Sequence, residues 1–324
     1  MNNEHSIVKD FVKVIKQSMP EDQQLASFLI DILPIGREAV YRRIRGEIPF
    51  TMPEMAIVAS RLSLSIDNLI DTKNINKIPF DLDLINDSFP LNGFIEILER
   101  QKSHLASLQE GKKVSLKAAF NSIPYSFLLE YGMIAKFQLY KYIYQISPSP
   151  NIGTLSDYKI SKKIKKMQSE WLKAMKKLDS FQYILDKRLF IYVAEDIAQF
   201  CRMKLISAEE KKFLKNEILM FLSDLEEMTV TGISKMTGKQ IEIFLSHIHF
   251  DTSYIYYESE DMEIAHFRLF TINGIRSNNN KICEKQKRLL ESLLLNSTRI
   301  SLSNALFRKQ FFRDQQKEIN KILK

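Results

Sequence analysis

The chain has 324 residues, enough for two domains, with 45% apolar residues, 27% charged residues and a formal net charge of +8. Nine glycines and nine prolines are too few turn residues for a sandwich or a large doubly wound sheet, and the abundance of Leu, Ile, Lys and Glu points to a mostly helical protein. No run approaches the roughly 18 apolar residues of a membrane span, the N-terminal stretch lacks the apolar segment of a signal peptide, and Cys201 and Cys283 match no metal spacing, so a cytoplasmic protein with no membrane partner is expected.

In chain order, His5–Ser18 reads as a first helix, with Ile7, Phe11, Val12, Val14 and Ile15 near helical spacing. Pro20-Glu21-Asp22 opens a second, because proline is tolerated in a first turn and acids complement the helix dipole. Leu25, Phe28, Leu29 and Ile32 form its buried stripe, and Pro34 ends it by forcing the preceding residue out of the helical region. Gly36 opens a third helix, Arg37–Arg45, that stops at Gly46. Thr51-x-x-Glu54 is a capping box for a fourth helix with Ala56, Val58, Ala59 and Leu62 on its apolar face, and Ser65 caps a short fifth, Ile66–Ile70.

The polar, proline-flanked stretch 76–90 is expected to be a linker between domains at 1–75 and 91–324. Beyond it, the segment from Gly93 is amphipathic, Lys112–Asn121 suits a strand, and aromatic-rich Tyr125–Ile146 suits a buried helix. Ser161–Leu178, Lys187–Leu205 and Ser207–Met228 show helical periodicity. Three β-rich runs between Lys239 and Ile272, joined by short polar turns, predict an antiparallel meander. Two helices, about Ile282–Asn296 and Leu302–Leu323, close the chain.

The third helix carries the chemistry. Val40 and Ile44 are four residues apart and face the core, whereas Arg37, Tyr41 and Arg45 fall four apart on another side with Arg42 beside them. Arginine is the side chain best shaped to grip guanine or clamp phosphate. Backbone N–H groups at the helix start, at Gly36 and Arg37, attract phosphate as well.

The order Ile35-Gly36-Arg37, Val40-Tyr41, Gly46, then Ile57-Val58-Ala59, then Leu62-Ser63-Leu64-Ser65-Ile66-Asp67-Asn68-Leu69 resembles the Cro/C1-type helix-turn-helix family, in a divergent bacterial branch. The resemblance covers residues 5–72. It implies a five-helix, lambda-repressor-like domain that places one helix in the major groove of double-stranded DNA. The groove-facing residues it implies are Gly36, Arg37, Glu38, Tyr41, Arg42 and Arg45. The sequence departs from the family at three places: Pro34 replaces the glycine between the motif helices, Ile30 stands for the usual alanine, and Arg43 and Ile44 stand where an apolar residue and a glutamate are expected.

Charge distribution adds little to this reading. Residues 1–80 carry ten Lys+Arg and ten Asp+Glu, so the basic excess lies downstream. Part of it is in Lys162–Lys177, seven lysines against Glu170 around Trp171, which suits a solvated face beside a core stripe, or auxiliary phosphate contacts.

Enzymatic readings of the downstream part find little support. His247-x-His249 followed by Glu258 and His266 superficially suggests a metal set, but the spacing to Glu258 is too long. Gly232 to Gly238-Lys239 has five residues between the glycines and Gln240 where a P-loop needs Ser or Thr. No nucleophile–histidine set has a local signature. The expectation is a mainly α, α+β overall, non-enzymatic transcriptional regulator without metal or cofactor. It would act as a homodimer through the last helix, using Leu302, Leu306, Phe311, Phe312, Ile319 and Leu323, with a small-molecule or protein effector acting on the second domain. The alternative is a protein-interaction or sensory scaffold whose N-terminal helices bind a protein partner.

Overall fold

The computed structural model describes residues 11–16, 19, 24–62, 78, 80–85, 90–109, 112–146 and 153–324. The chain divides into two compact units, Met1–Phe80 and Asp81–Lys324. Among the described residues no helix is long and apolar enough to cross a membrane.

The first unit is helical. α1 (11–16) is followed by α2 (Leu25–Ile32), α3 (Arg37–Ile44) and α4 (Met52–Arg61). The first helix expected over 5–18 is described only at 11–16, and the expected fifth helix, Ile66–Ile70, lies outside the described residues. α2 begins later than expected, because Gln24 is its extended N-cap; residues 20–23 lie outside the described residues. Its end follows the proline rule: Leu33, before Pro34, has φ −94° and ψ 134°. The helices close over Phe11, Ile15, Phe28, Leu29, Leu33, Val40, Phe50 and Val58, with the Phe11 and Phe50 rings edge to face at 5.0 Å. Each such side chain, once buried, contributes about 1.5–3 kcal/mol.

The second unit is α+β, built on an eight-stranded mixed sheet. Its strands are β1 (Asp81–Asp83), β2 (Ser115–Phe120), β3 (Ser180–Leu185), β4 (Gln240–Ser246), β5 (Tyr254–Glu258), β6 (Glu263–Phe270), β7 (Asn273–Ser277) and β8 (Ser297–Arg299), in spatial order β1-β7-β6-β5-β2-β3-β4-β8. β2, β3 and β4 are parallel, and the other pairings are antiparallel. Parallel neighbours require helical crossovers. α6 (Tyr125–Leu128), α7 (Gly132–Ile146) and α8 (Lys162–Met175) lead from β2 to β3, and α9 (Leu189–Arg202) and α10 (Ala208–Thr231) from β3 to β4. α5 (Pro90–Leu108) precedes β2; α11 (Asn280–Leu295) and α12 (Ala305–Ile322) follow β7 and β8.

Strand alternation distributes the core over both faces of the sheet. Leu116 and Ala118 of β2, Phe181 and Tyr183 of β3, and Ile241 and Ile243 of β4 enter the larger cluster with the crossover helices and α12. Ala119 and Ile184 point the other way, into a cluster with Cys283, Leu290 and Leu293 of α11.

Several sequence expectations change. β4 is not beside β5: β2 and β3 intervene, and the meander is β5-β6-β7. The alternation in Ile241, Ile243 and Leu245 fixes a strand but not its neighbour. The sheet is also larger than the small meander expected, because its parallel centre is joined through helices and needs few tight turns. Part of the expected linker is strand: Asp81–Asp83 pairs with Arg276–Gly274 of β7. Buried Asp83 Oδ2 accepts from Arg276 Nη1 at 2.9 Å, and Arg100 Nε lies 3.5 Å from Oδ1. Tyr125–Ile146 is two helices rather than one, broken before Gly132. The last helix starts at Ala305, after Leu302 and Asn304 take positive φ. Most of its expected dimer face serves the chain's own core: Phe311, Phe312, Ile319 and Leu323 are buried, while Leu302 and Leu306 are exposed.

Candidate nucleic-acid interface

The candidate surface is built by how α3 is fixed at both ends. Extended Gly36 caps its start. At its end Gly46, φ +76°, donates its N–H to the Arg43 carbonyl at 2.9 Å, and Glu47 donates to the Arg42 carbonyl at 2.9 Å. That crossed pair is a Schellman turn, whose left-handed position glycine fills without a Cβ clash.

Two residues set the rotation of α3. Val40 is fully buried in the helical core and Ile44 packs against it. Arg43, absent from the expected site, is the second anchor. Its Nε and Nη2 reach the two carboxylate oxygens of Glu54, each at 2.7 Å, with side-chain exposures of 11% and 7%. Glu54 also completes the capping box of α4: its Oε2 accepts from Thr51 N at 2.8 Å, and its own N–H donates to Thr51 Oγ1. Burial pushes the Glu54 carboxyl up, but the hydrogen bonds from Arg43 and Thr51 outweigh it and hold the group below the usual carboxylate range. One carboxylate therefore caps α4 and locks α3 against it. The Thr51-x-x-Glu54 spacing made the cap legible; the arginine eleven residues upstream carries no such signal.

With Val40 and Arg43 turned inward, the opposite side of α3 is open. Gly36, Arg37, Glu38, Arg42 and Arg45 are exposed and Tyr41 is half-buried. The Arg37 guanidinium lies 5.9 Å from the centre of the Tyr41 ring. Arg45 Nε donates to Glu47 Oε1 at 2.6 Å and its Nη2 lies 3.6 Å from Glu38, while Arg42 Nε lies 3.4 Å from Glu47. The Arg45 bond holds the Glu47 carboxyl below its ordinary value, and Glu47 in turn raises Arg45. The surface is thus an arginine strip partly neutralised by its own acids.

The other sequence candidates do not converge. His247 and His249 lie beyond the end of β4; His247 contacts Lys187 and Thr298, and His249 Nδ1 lies 2.7 Å from Asp186. Glu258 is bonded to Lys117 and Lys287, and His266 is buried. Among the described residues no group of three or more His, Cys, Asp or Glu is placed to hold a metal. Gly232 ends α10 at φ +68° and the segment then enters β4, the reverse of the strand-to-helix order of a P-loop. The α8 lysines are exposed, and Ile164, Trp171 and Met175 are buried on its other side.

A proline-ended helix followed by a second helix with one anchored and one open side is a helix-turn-helix-like arrangement. Residues 3–94 match the family described as the BetR domain, which is helix-turn-helix-like; the match points to a DNA-binding regulatory domain. It runs past Phe80 through β1 and into the first turns of α5. No curated protein and no solved structure matches the chain.

Proposed function

We propose that the protein is a non-enzymatic, sequence-specific transcriptional regulator of the Cro/C1 kind. It acts in the cytoplasm as a homodimer and reads double-stranded DNA with α3. Arg37, Glu38, Tyr41 and Arg42 face the bases, while Gly36 and Arg45 meet the backbone. The observation that carries this reading is the split of α3 into a side held by Val40 and the buried Arg43–Glu54 pair, and a side that leaves Arg37, Arg42 and Arg45 exposed. Dimerisation places two such helices on successive half-sites.

The test is fluorescence anisotropy with fragments recovered from cells together with the protein. Arg37→Ala and Arg42→Ala each weaken binding by about ten-fold or more without changing thermal unfolding, and affinity falls steeply with salt. Unchanged affinity in both variants removes the groove assignment. The pairing of Arg42 and Arg45 with Glu47 favours a second reading, a surface for a protein partner. Absent or salt-insensitive DNA binding selects it.

A further inference from the structure

The second unit contains a half-buried cation without an acid. Arg268 lies near the end of β6, where the register with β7 shifts between Arg268 and Phe270. Such a bulge re-aims a side chain. Among the described residues, the side-chain hydrogen bonds of Arg268 run through Nη2 to neutral oxygens: Asn121 Oδ1 at 3.0 Å, Ser122 Oγ at 2.5 Å and Ser253 Oγ. Among the described residues no carboxylate lies within ion-pair distance, and Nε and Nη1 have no protein partner. A guanidinium has five donors, and a desolvated charge normally has a counter-charge. Burial alone holds this group down to about 10, well below an ordinary arginine.

Arg268 lines a partly enclosed cleft of about 180 Å³. Its walls are otherwise amphipathic. Phe94, Leu139, Val193 and Ile272 form apolar surface, whereas Ser122 puts a hydroxyl on the guanidinium and Thr271 is a further polar residue of the lining. Asp196, the acid of the lining, is bonded to Lys141 at 2.6 Å, so the lining keeps a net positive charge. A dry cavity of roughly 150 Å³ holds a benzene ring, so the cleft takes a molecule of that size.

We propose that this cleft is a binding site for a small carboxylate with an apolar body about the size of one aromatic ring, the carboxylate on Arg268 and the body against Phe94, Leu139 and Ile272. This site stands independently of the DNA reading. The bound carboxylate supplies the counter-charge that the fold omits, and the apolar end of the cleft rejects small hydrophilic anions.

The 324-residue chain without DNA is the material for the test. Benzoate is the probe, with benzyl alcohol as its uncharged counterpart and inorganic phosphate as an anion without the ring. Millimolar benzoate raises the melting temperature by about 2 °C or more, and it changes the emission of Trp171, whose ring is 5.9 Å from the cleft residue Tyr125. Neither control reproduces either effect, and Arg268→Gln abolishes both. No response to benzoate, an equal response to benzyl alcohol or phosphate, or a response that survives in Arg268→Gln overturns the proposal. The comparison of the three compounds on the unaltered protein decides the matter even where Arg268→Gln fails to fold.

Discussion

Glu47 stands between two of the arginines that the DNA reading uses, so the free protein already holds an internal substitute for phosphate. Exposed pairs of this kind exchange readily, because each contributes little in water. Glu47→Gln releases Arg42 and Arg45 and removes a repulsive charge from the surface. It is expected to tighten DNA binding about two- to five-fold at low salt and to steepen the salt dependence, measured by anisotropy across a salt series. Looser binding would mean that Glu47 orients the arginines rather than screening them. Arg43 behaves in the opposite way. Its partner Glu54 is buried, so Glu54→Gln leaves an uncompensated guanidinium and should destabilise the first unit by about 2–4 kcal/mol, read by urea unfolding. The depressed Glu54 carboxyl also gives a sign with pH. The pair's stabilisation is complete above the ordinary glutamate value and is lost as pH falls through the lower value it has in the folded protein.

At the scale of elements, α3 depends on a turn that one glycine permits. A Cβ on Gly46 would meet nothing within 4 Å, so the penalty for Gly46→Ala is the backbone's alone, its φ being +76°. The expected loss is about 1 kcal/mol in a thermal melt, with DNA affinity per folded molecule unchanged. In the first unit the end of α2, both ends of α3 and the start of α4 were legible because each has a local stop or start signal: Pro34, Gly36, Gly46 and the Thr51 cap. The exposed strip was legible for the same reason, since four-residue spacing is a local property. Arg43 was not, because its role is set by a contact with Glu54 across a turn. In the second unit β3 escaped notice although Phe181, Tyr183 and Leu185 alternate, because it is six residues long between two strongly amphipathic helices. β1 and β8 have three residues each, and their pairing is tertiary with no local mark; β7 follows β6 across a tight turn, but its polar sequence Asn273–Ser277 does not read as a strand. Arg268 was equally silent, because an uncompensated charge is visible only once its surroundings are known.

The sheet as a whole carries a pH-sensitive point at His266. It is buried on β6 opposite Arg276, and its Nε2 has no hydrogen-bond partner among the described residues. A Cβ added at Gly274 would overlap that nitrogen. Burial, and then the charges of Arg276 and Arg268, push its pKa down to about 4. The unfolded chain takes up the proton near the ordinary histidine value, so the folded state is fully favoured above about pH 6.5. It loses about 3 kcal/mol as pH falls through that value to about 4. Urea midpoints measured between pH 7 and 4 should show this slope, and His266→Gln should flatten it; an unaltered slope would assign the loss to other groups.

The pairing of β1 with β7 also sets an order of events during translation. Asp83 and Arg276 are 193 positions apart, so the ribosome delivers this acid long before its guanidinium. The helical first unit can collapse early on short-range contacts, whereas the sheet must wait for nearly the whole polypeptide to emerge. Nascent chains halted before residue 276 would carry an ordered head followed by an open, charge-frustrated sheet edge, the species on which chaperones and proteases act first.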